Sequence, residues 1–334
     1  MRETILKALA TLILSALPAA APAQVEFKTL TIVVGSTSGG GYDVYARALA
    51  RHIGRHVPGR PTVIVQNMPG AASLKSVQYL DTGAPKDGSV ITAFNAGVIT
   101  ESLINADRIQ FKFSDVGWIG SITRDLRACY SWAATGIRTF EELRRAKRFN
   151  MGAPAAGTSS FIDAAVLKNM FGIAVHHVMG YSGSGEARIA IERGELDGDC
   201  GAWSSVPPDW VSRNKVNPLV SFSSIAVPGL PSNVPFLRDL AGTEADKLVF
   251  DMVTMADLLG RPFVVSRQVP PERLGVLRRA FDATLADAQF VAEIGRMDLP
   301  LAGPIMGVEA EKMIAAFYST PPPVVARARE IVGR

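Results

Sequence analysis

Short apolar runs alternate with amphipathic segments over the first hundred residues. Runs rich in β-branched residues predict strands at 30–35, 61–67 and 89–95. Behind the first of these runs, apolar residues recur at helical spacing over 46–57, and three arginines fall on the opposite face. A chain that alternates strands and helices in this way predicts an α/β fold built on parallel sheets.

A second series of alternating elements begins near Arg124. Its predicted strands are 128–134, 148–154, 176–181, 197–203 and 217–224, and its predicted helices are 139–148, 159–172 and 184–194. Thr139 and Glu142 have the spacing of a capping box that opens the first of these helices, and Gly172 is expected to end the second. Further helices are predicted at 272–293, 308–318 and 324–332.

This order of elements predicts two α/β lobes, the second inserted into the first. The first lobe is expected to comprise residues 24–124 and about 250–334, and the second residues 125 to about 249, because the proline-rich stretch 228–235 marks the return of the chain. Ligands of such open sheets bind at the carboxyl ends of the strands. We therefore expect a ligand cleft between the two lobes.

The first residues have the pattern of a secretory signal peptide. Arg2 and Lys7 precede or flank an apolar run at 8–17, and Ala21 and Ala23 form an A-x-A cleavage site. The run is shorter than the ~20 apolar residues that span a bilayer. We expect an exported chain that is cleaved near Ala23, with an N-terminal membrane anchor as the alternative.

The charge balance argues against nucleic-acid binding. The chain carries 35 Lys and Arg against 31 Asp and Glu, a formal net charge of +4, and its basic residues do not interleave with aromatic ones. No histidine or further cysteine falls at metal-ligand spacing, so neither a metal nor a cofactor is expected. His52 and His56 lie four residues apart among arginines, which indicates a solvated helix face rather than a metal pair.

Three loops combine glycine with hydroxyl side chains, each between a predicted strand and a predicted helix: 35–43, 152–160 and 180–186. Glycine lets the backbone approach a ligand closely. The first N–H groups of a helix are free to donate, and they lie at the positive end of its dipole. Such loops can hold a carboxylate or a phosphate without lysine or arginine. The alternative is that glycine and serine simply form tight turns.

These loops fail the sequence tests for known catalytic motifs. A Walker A loop requires lysine where Gly41 stands, and a dinucleotide loop requires glycine where Val44 stands. The loop at 180–186 lacks the last glycine of a nucleophile elbow, and its serine would also need a histidine to activate it. We therefore expect no enzyme, with an exported serine hydrolase that uses Ser182 or Ser38 as the alternative.

Several short motifs occur in a characteristic order. Gly39, Gly40 and Asp43 form G-G-x-x-D. They are followed by Asn67-Met68-Pro69-Gly70-Ala71, Pro85-Lys86-Asp87-Gly88, Gly194-Glu195-Leu196-Asp197 and Val234-Pro235. In this order the motifs resemble those of the periplasmic solute-binding receptors of tripartite tricarboxylate transporters, the Bug family. The resemblance covers essentially the whole chain after the signal peptide.

The resemblance implies a two-lobed periplasmic-binding-protein fold, a Venus flytrap of type II, that closes on a small carboxylated solute. It implies a periplasmic monomer that delivers the solute to the membrane permease of the transporter, with a sensor module for a membrane signalling protein as an alternative. Asp43 is also expected to cap the first helix. The ligand-binding residues that the resemblance nominates are Ser36, Thr37, Ser38, Gly39, Gly40, Tyr42, Asp43, Asn95 and Ala96 in the first lobe, and Thr158, Ser159, Ser160, Tyr181, Ser182 and Gly183 in the second.

The chain departs from the family pattern in the second lobe. Phe161 stands in the region where the family often has a histidine, and Ser182 replaces a lysine. The sequence shows no charged anchor, so the solute stays open among a dicarboxylate, an amino acid and an aromatic acid. Asp199 is a candidate to bond an amino or hydroxyl group, and Trp203 is a candidate to pack on the ligand. An ordinary strand end and core packing are the respective alternatives.

The chain has two cysteines, Cys129 and Cys200. In the family the strands at these positions are often neighbours, so the resemblance implies a possible disulfide. Bridges between adjacent strands are strained, and the pairing stays open at this point.

Overall fold

The computed structural model describes residues 26–181, 183–299 and 301–333. The predicted signal peptide and Ser182 lie outside these ranges. The strands in the described part are β1 (Thr29–Val34), β2 (Thr62–Asn67), β3 (Val90–Ala93), β4 (Gly117–Ser121), β5 (Arg127–Trp132), β6 (Phe149–Ala153), β7 (Val175–Met179), β8 (Gly198–Ala202), β9 (Val216–Ser221), β10 (Pro262–Val265) and β11 (Ile305–Met306).

The helices of the same ranges pack on both faces of these strands. They are α1 (Gly41–Ile53), α2 (Leu74–Thr82), α3 (Gly97–Ile104), α4 (Phe140–Arg145), α5 (Ser159–Phe171), α6 (Ser184–Glu192), α7 (Pro208–Ser212), α8 (Glu244–Met255), α9 (Pro271–Leu285), α10 (Ala288–Arg296), α11 (Gly307–Tyr318) and α12 (Pro322–Val332). Within the ranges described, none of these helices is long and apolar enough to cross a membrane.

The strands form two separate sheets, so the prediction of two α/β lobes is confirmed. The first sheet has the order β11-β4-β10-β3-β1-β2, and the second has the order β7-β6-β8-β5-β9. We call the elements around the first sheet the first lobe and those around the second sheet the second lobe. The core follows strand alternation: Leu30, Ile32 and Val34 of β1 pack towards Leu49 on one face, and Val33 packs on the other.

The sheets are mixed, and the prediction of parallel sheets is wrong in this respect. β10 runs antiparallel to β3 and β4, β11 runs antiparallel to β4, and β5 runs antiparallel to β8 and β9. The physical reason is the path of the chain. It leaves the first sheet after β4 and enters the second as β5, and it returns to the first as β10, so each entering strand runs against its neighbours.

The two segments that cross between the lobes lie side by side. The N–H of Ile122 donates to the carbonyl of Arg261 over 3.1 Å, and the N–H of Asp125 donates to the carbonyl of Asp257 over 2.8 Å. These crossings place the charged residues that follow β4 next to those that precede β10. They therefore bring charge to the base of the space between the lobes.

The predicted signals for the start and the end of helices are confirmed at two positions. Thr139 accepts from the N–H of Glu142, whose side chain accepts in return from the N–H of Thr139, so the predicted capping box is present. Gly172 ends α5 in a left-handed conformation with φ of 69°. The predicted helix 272–293 is two helices, because Asp287 interrupts it and caps α10 through the N–H of Gln289. No prediction covered β4, β10, α2, α3 or α8.

The prediction that His52 and His56 lie on a solvated face is wrong. His52 is 6% exposed, and its Nε2 lies 2.5 Å from Oε2 of Glu293. His56 Nε2 lies 2.9 Å from Oδ2 of Asp287. Both carboxylates come from the segment around α10, more than 230 residues away, so the local pattern of arginines gave no sign of them. His52 of α1 and the half-buried His56 of the turn that follows it thus join this part of the first lobe to the segment that begins α10.

Candidate functional site

A cleft with a volume of about 380 Å³ lies between the two lobes. Its first-lobe wall is formed by the loop before α1 and by residues 69–73, and its second-lobe wall by the starts of α5 and α6 and the end of β8. The crossing segments contribute Asp125, Arg127 and Arg261 to its base. The cleft is large enough for a small organic ligand. It lies between the two lobes, as expected from the order of elements in the sequence.

Three helices point their amino-terminal ends into this cleft. The N-cap residues are Gly40 for α1, Thr158 for α5 and Gly183 for α6, and each of the three lines the cleft. None of these caps accepts a hydrogen bond through a side chain. The N–H of Ser159 at the start of α5 donates to Oδ1 of Asn95 over 3.3 Å. First-turn amides have no partner within their own helix, so they can donate to an acceptor from outside it, and three positive dipole ends favour an anion between them.

A left-handed segment supplies a further part of the first-lobe wall. Ala71, Ala72 and Ser73 follow one another with φ of 46°, 54° and 83°. Ser73 is buried, and its hydroxyl donates to the carbonyl of Gly35 over 2.9 Å and accepts from the N–H of Asn95 over 3.0 Å. This hydroxyl ties three cleft-lining loops together. Gly35 leaves the space for it, because a Cβ there would lie 2.5 Å from Ser73.

Asp43 supports the first loop from beneath and does not line the cleft. Gly40 is the N-cap of α1, so the expectation that Asp43 caps this helix is wrong in detail. The carboxylate accepts from the N–H of Gly39 and from Nε of Arg47, each over 2.8 Å, and from Nδ2 of Asn67 over 2.7 Å. Burial alone would raise the pKa of Asp43, but these hydrogen bonds together lower it.

Tyr42 lines the cleft next to a buried guanidinium. Arg261 lies 4.8 Å from the ring of Tyr42 and 5.2 Å from that of Tyr45. Burial raises the pKa of Tyr42 to about 12, so its hydroxyl is protonated at neutral pH. This hydroxyl accepts from the N–H of Ala96 over 3.2 Å. Ala96 therefore positions Tyr42.

A cluster of buried charges joins the crossing segments to the second lobe. Arg127 donates from Nε to Asp163 over 2.6 Å, from Nη1 to Asp125 over 3.2 Å and from Nη2 to the carbonyl of Cys200 over 2.8 Å. Its Nε also lies 3.7 Å from Asp257. Burial raises the pKa of Asp163 to about 6 and raises the pKa of Asp257 well above its usual range, although Arg127 opposes both shifts.

Asp199 lies in the second-lobe wall and is 8% exposed. Its Oδ1 accepts from the N–H of Cys200 over 2.8 Å. Burial raises the pKa of Asp199 to about 7, although Arg127 and Arg188 lower it. The charged groups that line the cleft are thus two carboxyl groups and three guanidiniums, from Asp125, Asp199, Arg127, Arg188 and Arg261. The expectation that the site has no charged anchor is wrong.

Cys129 and Cys200 form a disulfide directly behind this wall. They are opposite each other in the antiparallel register of β5 and β8. At the two ends of this strand pair, the backbone N–H of Trp203 donates to the carbonyl of Leu126, and the backbone N–H of Trp132 donates to the carbonyl of Asp197. The cysteines therefore fall at a position without mutual backbone hydrogen bonds, where opposite side chains approach most closely. The Cα atoms are 4.0 Å apart.

Many of the nominated ligand residues meet at the cleft. Those that line it are Ser36, Thr37, Gly40, Tyr42, Asn95, Thr158, Ser159, Ser160, Gly183 and Asp199. Ser182 lies outside the described residues.

The other nominated residues are placed elsewhere, each for a physical reason. Ser38 and Gly39 are exposed at the outside of the first loop. Tyr181 packs against Gly152, and Trp203 is buried edge-on to Tyr130 in the second-lobe core. Like Asp43 and Ala96, these four residues do not line the cleft.

Sequence reasoning missed the charged base of the cleft. Arg127 is the first residue of the short strand β5, and Arg261 directly precedes the short strand β10. An arginine at the edge of a buried strand was a usable signal, because such a side chain is almost never buried unless it is paired. The segment Ala71–Ser73 carried no such signal, since its left-handed backbone is set by the contacts of Ser73.

Solved structures share this fold at low sequence identity, whereas neither a scan against models of protein families nor a search of curated proteins finds a match. MatC from Rhodopseudomonas palustris, solved with bound malate, is 18% identical, with a TM-score of 0.69 over 91% of this chain and 98% of its own. Another R. palustris protein, solved with adipate, is 18% identical, with a TM-score of 0.67 over 91% and 97%. A TctC solute binding protein from Polaromonas is 20% identical, with a TM-score of 0.61 over 90% and 98%. These similarities establish the two-lobed α/β fold of periplasmic binding proteins.

Proposed function

We propose that this chain is a periplasmic solute-binding receptor of the Bug type. It holds a small carboxylated solute between its lobes and delivers it to the permease of a tripartite tricarboxylate transporter. The observation that carries the proposal is the convergence of three helix amino termini, from both lobes, on one cleft. A carboxylate between them would accept from amides of each lobe, so its binding favours the closed arrangement.

The shared fold supports the carboxylate as the ligand class. MatC was solved with malate and another protein of the same fold with adipate. In this chain we assign the first-lobe contacts to the loop that contains Ser36 and Thr37 and to the start of α1. We assign the second-lobe contacts to the starts of α5 and α6, where Thr158 and Gly183 line the cleft.

We propose that the chain carries the solute without transforming it. A serine hydrolase requires a histidine that accepts the proton of the serine hydroxyl. In the described parts of the chain, the hydrogen bonds of His52, His56 and His176 go to carboxylates or arginines, and none goes to a serine. His177 stacks on Phe161, with ring centroids 4.8 Å apart.

Ligand binding by the purified mature chain tests this proposal. The protein is unfolded, dialysed and refolded to remove copurified solutes, and its melting temperature is then measured with mono-, di- and tricarboxylates. A carboxylate that binds the folded state raises the melting temperature, and the rise grows with the logarithm of the ratio of its concentration to its dissociation constant. No shift across the panel, together with turnover of ester substrates, would replace the receptor by the hydrolase.

A further inference from the structure

The second-lobe wall of the cleft holds a carboxylate that the protein leaves without a cation. Asp199 is more than nine-tenths buried and lines the cleft. Its Oδ1 accepts only from the N–H of the next residue, Cys200. In the described part of the chain, no group donates a hydrogen bond to Oδ2. In a side chain that is so largely buried, a carboxylate oxygen without a donor is costly unless a ligand in the cleft supplies one.

Of the two buried arginines near the base of the cleft, Arg127 is fully engaged and Arg261 only in part, because Nε of Arg261 is buried without a hydrogen-bond partner among the described residues. Arg127 donates hydrogen bonds to Asp163, to Asp125 and to the carbonyl of Cys200. Arg261 donates to the carbonyl of Gly260 over 2.6 Å and pairs with Asp125 at 3.3 Å. Neither guanidinium forms a salt bridge with Asp199 in the ranges described.

The guanidiniums of Arg127 and Arg261 pair with carboxylates other than Asp199. Around the crossing segments, Asp125, Asp163 and Asp257 face the two guanidiniums of Arg127 and Arg261. Asp199 adds a fourth carboxyl group. A further carboxylate placed beside Asp199 would be repelled, whereas a cation there would be attracted.

The remaining polar neighbours of Asp199 do not neutralise it. Arg188 of α6 lines the cleft, but it donates from Nη1 to the carbonyl of Ser205 over 3.0 Å. No salt bridge joins it to Asp199 within the described residues. Tyr130 is opposite Asp199 in the register of β5 and β8, so both side chains lie on one face of the sheet, away from the disulfide. The charge of Asp199 helps to raise the pKa of Tyr130 well above its usual range, second to burial.

We propose that the solute is an amino acid, or a similar small carboxylate with a protonated amino group, whose ammonium group pairs with Asp199. This assignment rests on the proposed receptor function, in which the helix amino termini hold the solute's carboxylate. It gives the far end of the ligand a specific partner. It also disfavours a plain dicarboxylate, whose second carboxylate would face Asp199.

Matched ligand pairs that differ by one amino group test the assignment. The pairs are l-alanine with propionate, l-glutamate with glutarate, l-leucine with isocaproate, and γ-aminobutyrate with butyrate. Each is titrated by calorimetry against the refolded, solute-free protein, against Asp199→Asn and against Asp209→Asn. Asp209 is an exposed residue of α7 that pairs with Lys215, so its variant controls for loss of a second-lobe carboxylate outside the cleft.

We expect the wild-type protein and Asp209→Asn to bind one or more amino compounds about 30-fold or more tighter than the matched deaminated acid. In Asp199→Asn the difference within that pair should nearly vanish, because the amide cannot pair with an ammonium group.

Two results would overturn the assignment. Equal or tighter binding of the deaminated acids by the wild type would show that the amino group is not recognised, and it would leave the receptor function standing. An amino-group preference that survives in Asp199→Asn would show that another residue recognises it. Binding of no probe in any pair would count against the receptor function itself, and the assignment would fall with it.

Discussion

Oδ1 of Asn95 in the first lobe accepts a hydrogen bond from the N–H of Ser159 in the second lobe over 3.3 Å. The same oxygen accepts from the N–H of Gly97 over 2.9 Å. Asn95 follows β3, and Ser159 is the first residue of α5. The side chain of one lobe thus satisfies a free amide at the start of a helix in the other, next to the cleft that both residues line.

Gly97 permits this close approach of the lobes. A Cβ at Gly97 would lie 2.6 Å from the carbonyl oxygen of Gly157 and 2.7 Å from the nitrogen of Ser159. We therefore expect Gly97→Ala to hold the lobes apart and to weaken solute binding about tenfold, which corresponds to about 1.4 kcal/mol. Calorimetry measures the affinity, and small-angle scattering with ligand measures the radius of gyration. In Gly295→Ala, where a Cβ meets nothing within 4 Å, both should stay at wild-type values.

Replacing Asp43 should destabilise the first loop. Its carboxylate accepts hydrogen bonds from Gly39, Arg47 and Asn67. Hydrogen bonds to charged groups are stronger than those between neutral groups, so we expect Asp43→Ala to lower the free energy of unfolding by about 2–3 kcal/mol at pH 7. Because the pKa of Asp43 is lowered in the folded protein, its contribution is present above the unfolded pKa and is lost as the pH falls through the folded one. Urea unfolding at pH 7 and pH 3 measures this, and an equal loss at both would contradict it.

Arg127 should be among the most sensitive positions in the chain. Arg127→Met would leave the carboxylates of Asp125, Asp163 and Asp257 buried without their main cation, so we expect a loss of about 3–5 kcal/mol in the free energy of unfolding. The exposed pair of Arg144 and Glu141 provides the control. Arg144→Met should cost less than about 1 kcal/mol, and similar losses in the two variants in urea unfolding would refute the role of Arg127.

Asp199 should make the unliganded protein less stable as the pH rises. Its folded pKa of about 7 lies above the ordinary value of 3.8, so the folded state binds the proton more tightly, and stability is lost as the pH rises between these values. Arg127, Arg188, Asp163 and Tyr130 surround it and influence the titration. We expect Asp199→Asn to gain stability over the wild type at pH 8 and to gain little at pH 4. Urea unfolding at both pH values checks this, and a gain that is the same at both would count against the buried, ionisable state of Asp199.

The disulfide should contribute strongly to stability. It links residues 71 positions apart, and closing a loop of this size in the unfolded chain typically stabilises the fold by about 2–4 kcal/mol. We expect the double variant Cys129→Ala, Cys200→Ala to lose an amount in this range in urea unfolding. Titration of thiols in the unfolded, unreduced wild-type protein should find none, and two reactive thiols there would contradict the pairing.

Features that depend on a few neighbouring residues were predicted well from the sequence. The capping box of Thr139 and Glu142, the end of α5 at Gly172 and most strands of the second lobe follow from contacts within about four residues. Strands β4 and β10 escaped prediction because they are short and buried, so their sequences lack the alternation that marks a half-buried strand.

The loops of the site were identified from the sequence, but the orientation of their residues was not. Within the first loop, Ser36 and Tyr42 line the cleft, whereas Asp43 turns beneath it to meet Asn67, 24 residues further on. His52 was expected to face water, and its partner Glu293 lies 241 residues away. Such outcomes are decided by which distant segment packs nearby.

The sequence by itself determined the α/β alternation, the two lobes and the glycine and hydroxyl loops at the carboxyl ends of the strands, because backbone propensity and apolar spacing act locally. Only the tertiary structure decided the charges of the cleft. Arg127, Asp163, Asp199 and Arg261 come from segments far apart in the chain, and they meet because the two crossings between the lobes lie side by side. Burial then shifts their pKa values and leaves Asp199 facing the cleft. A charge acquires such a role only from the dielectric and the partners around it, and neither is written in the neighbouring residues.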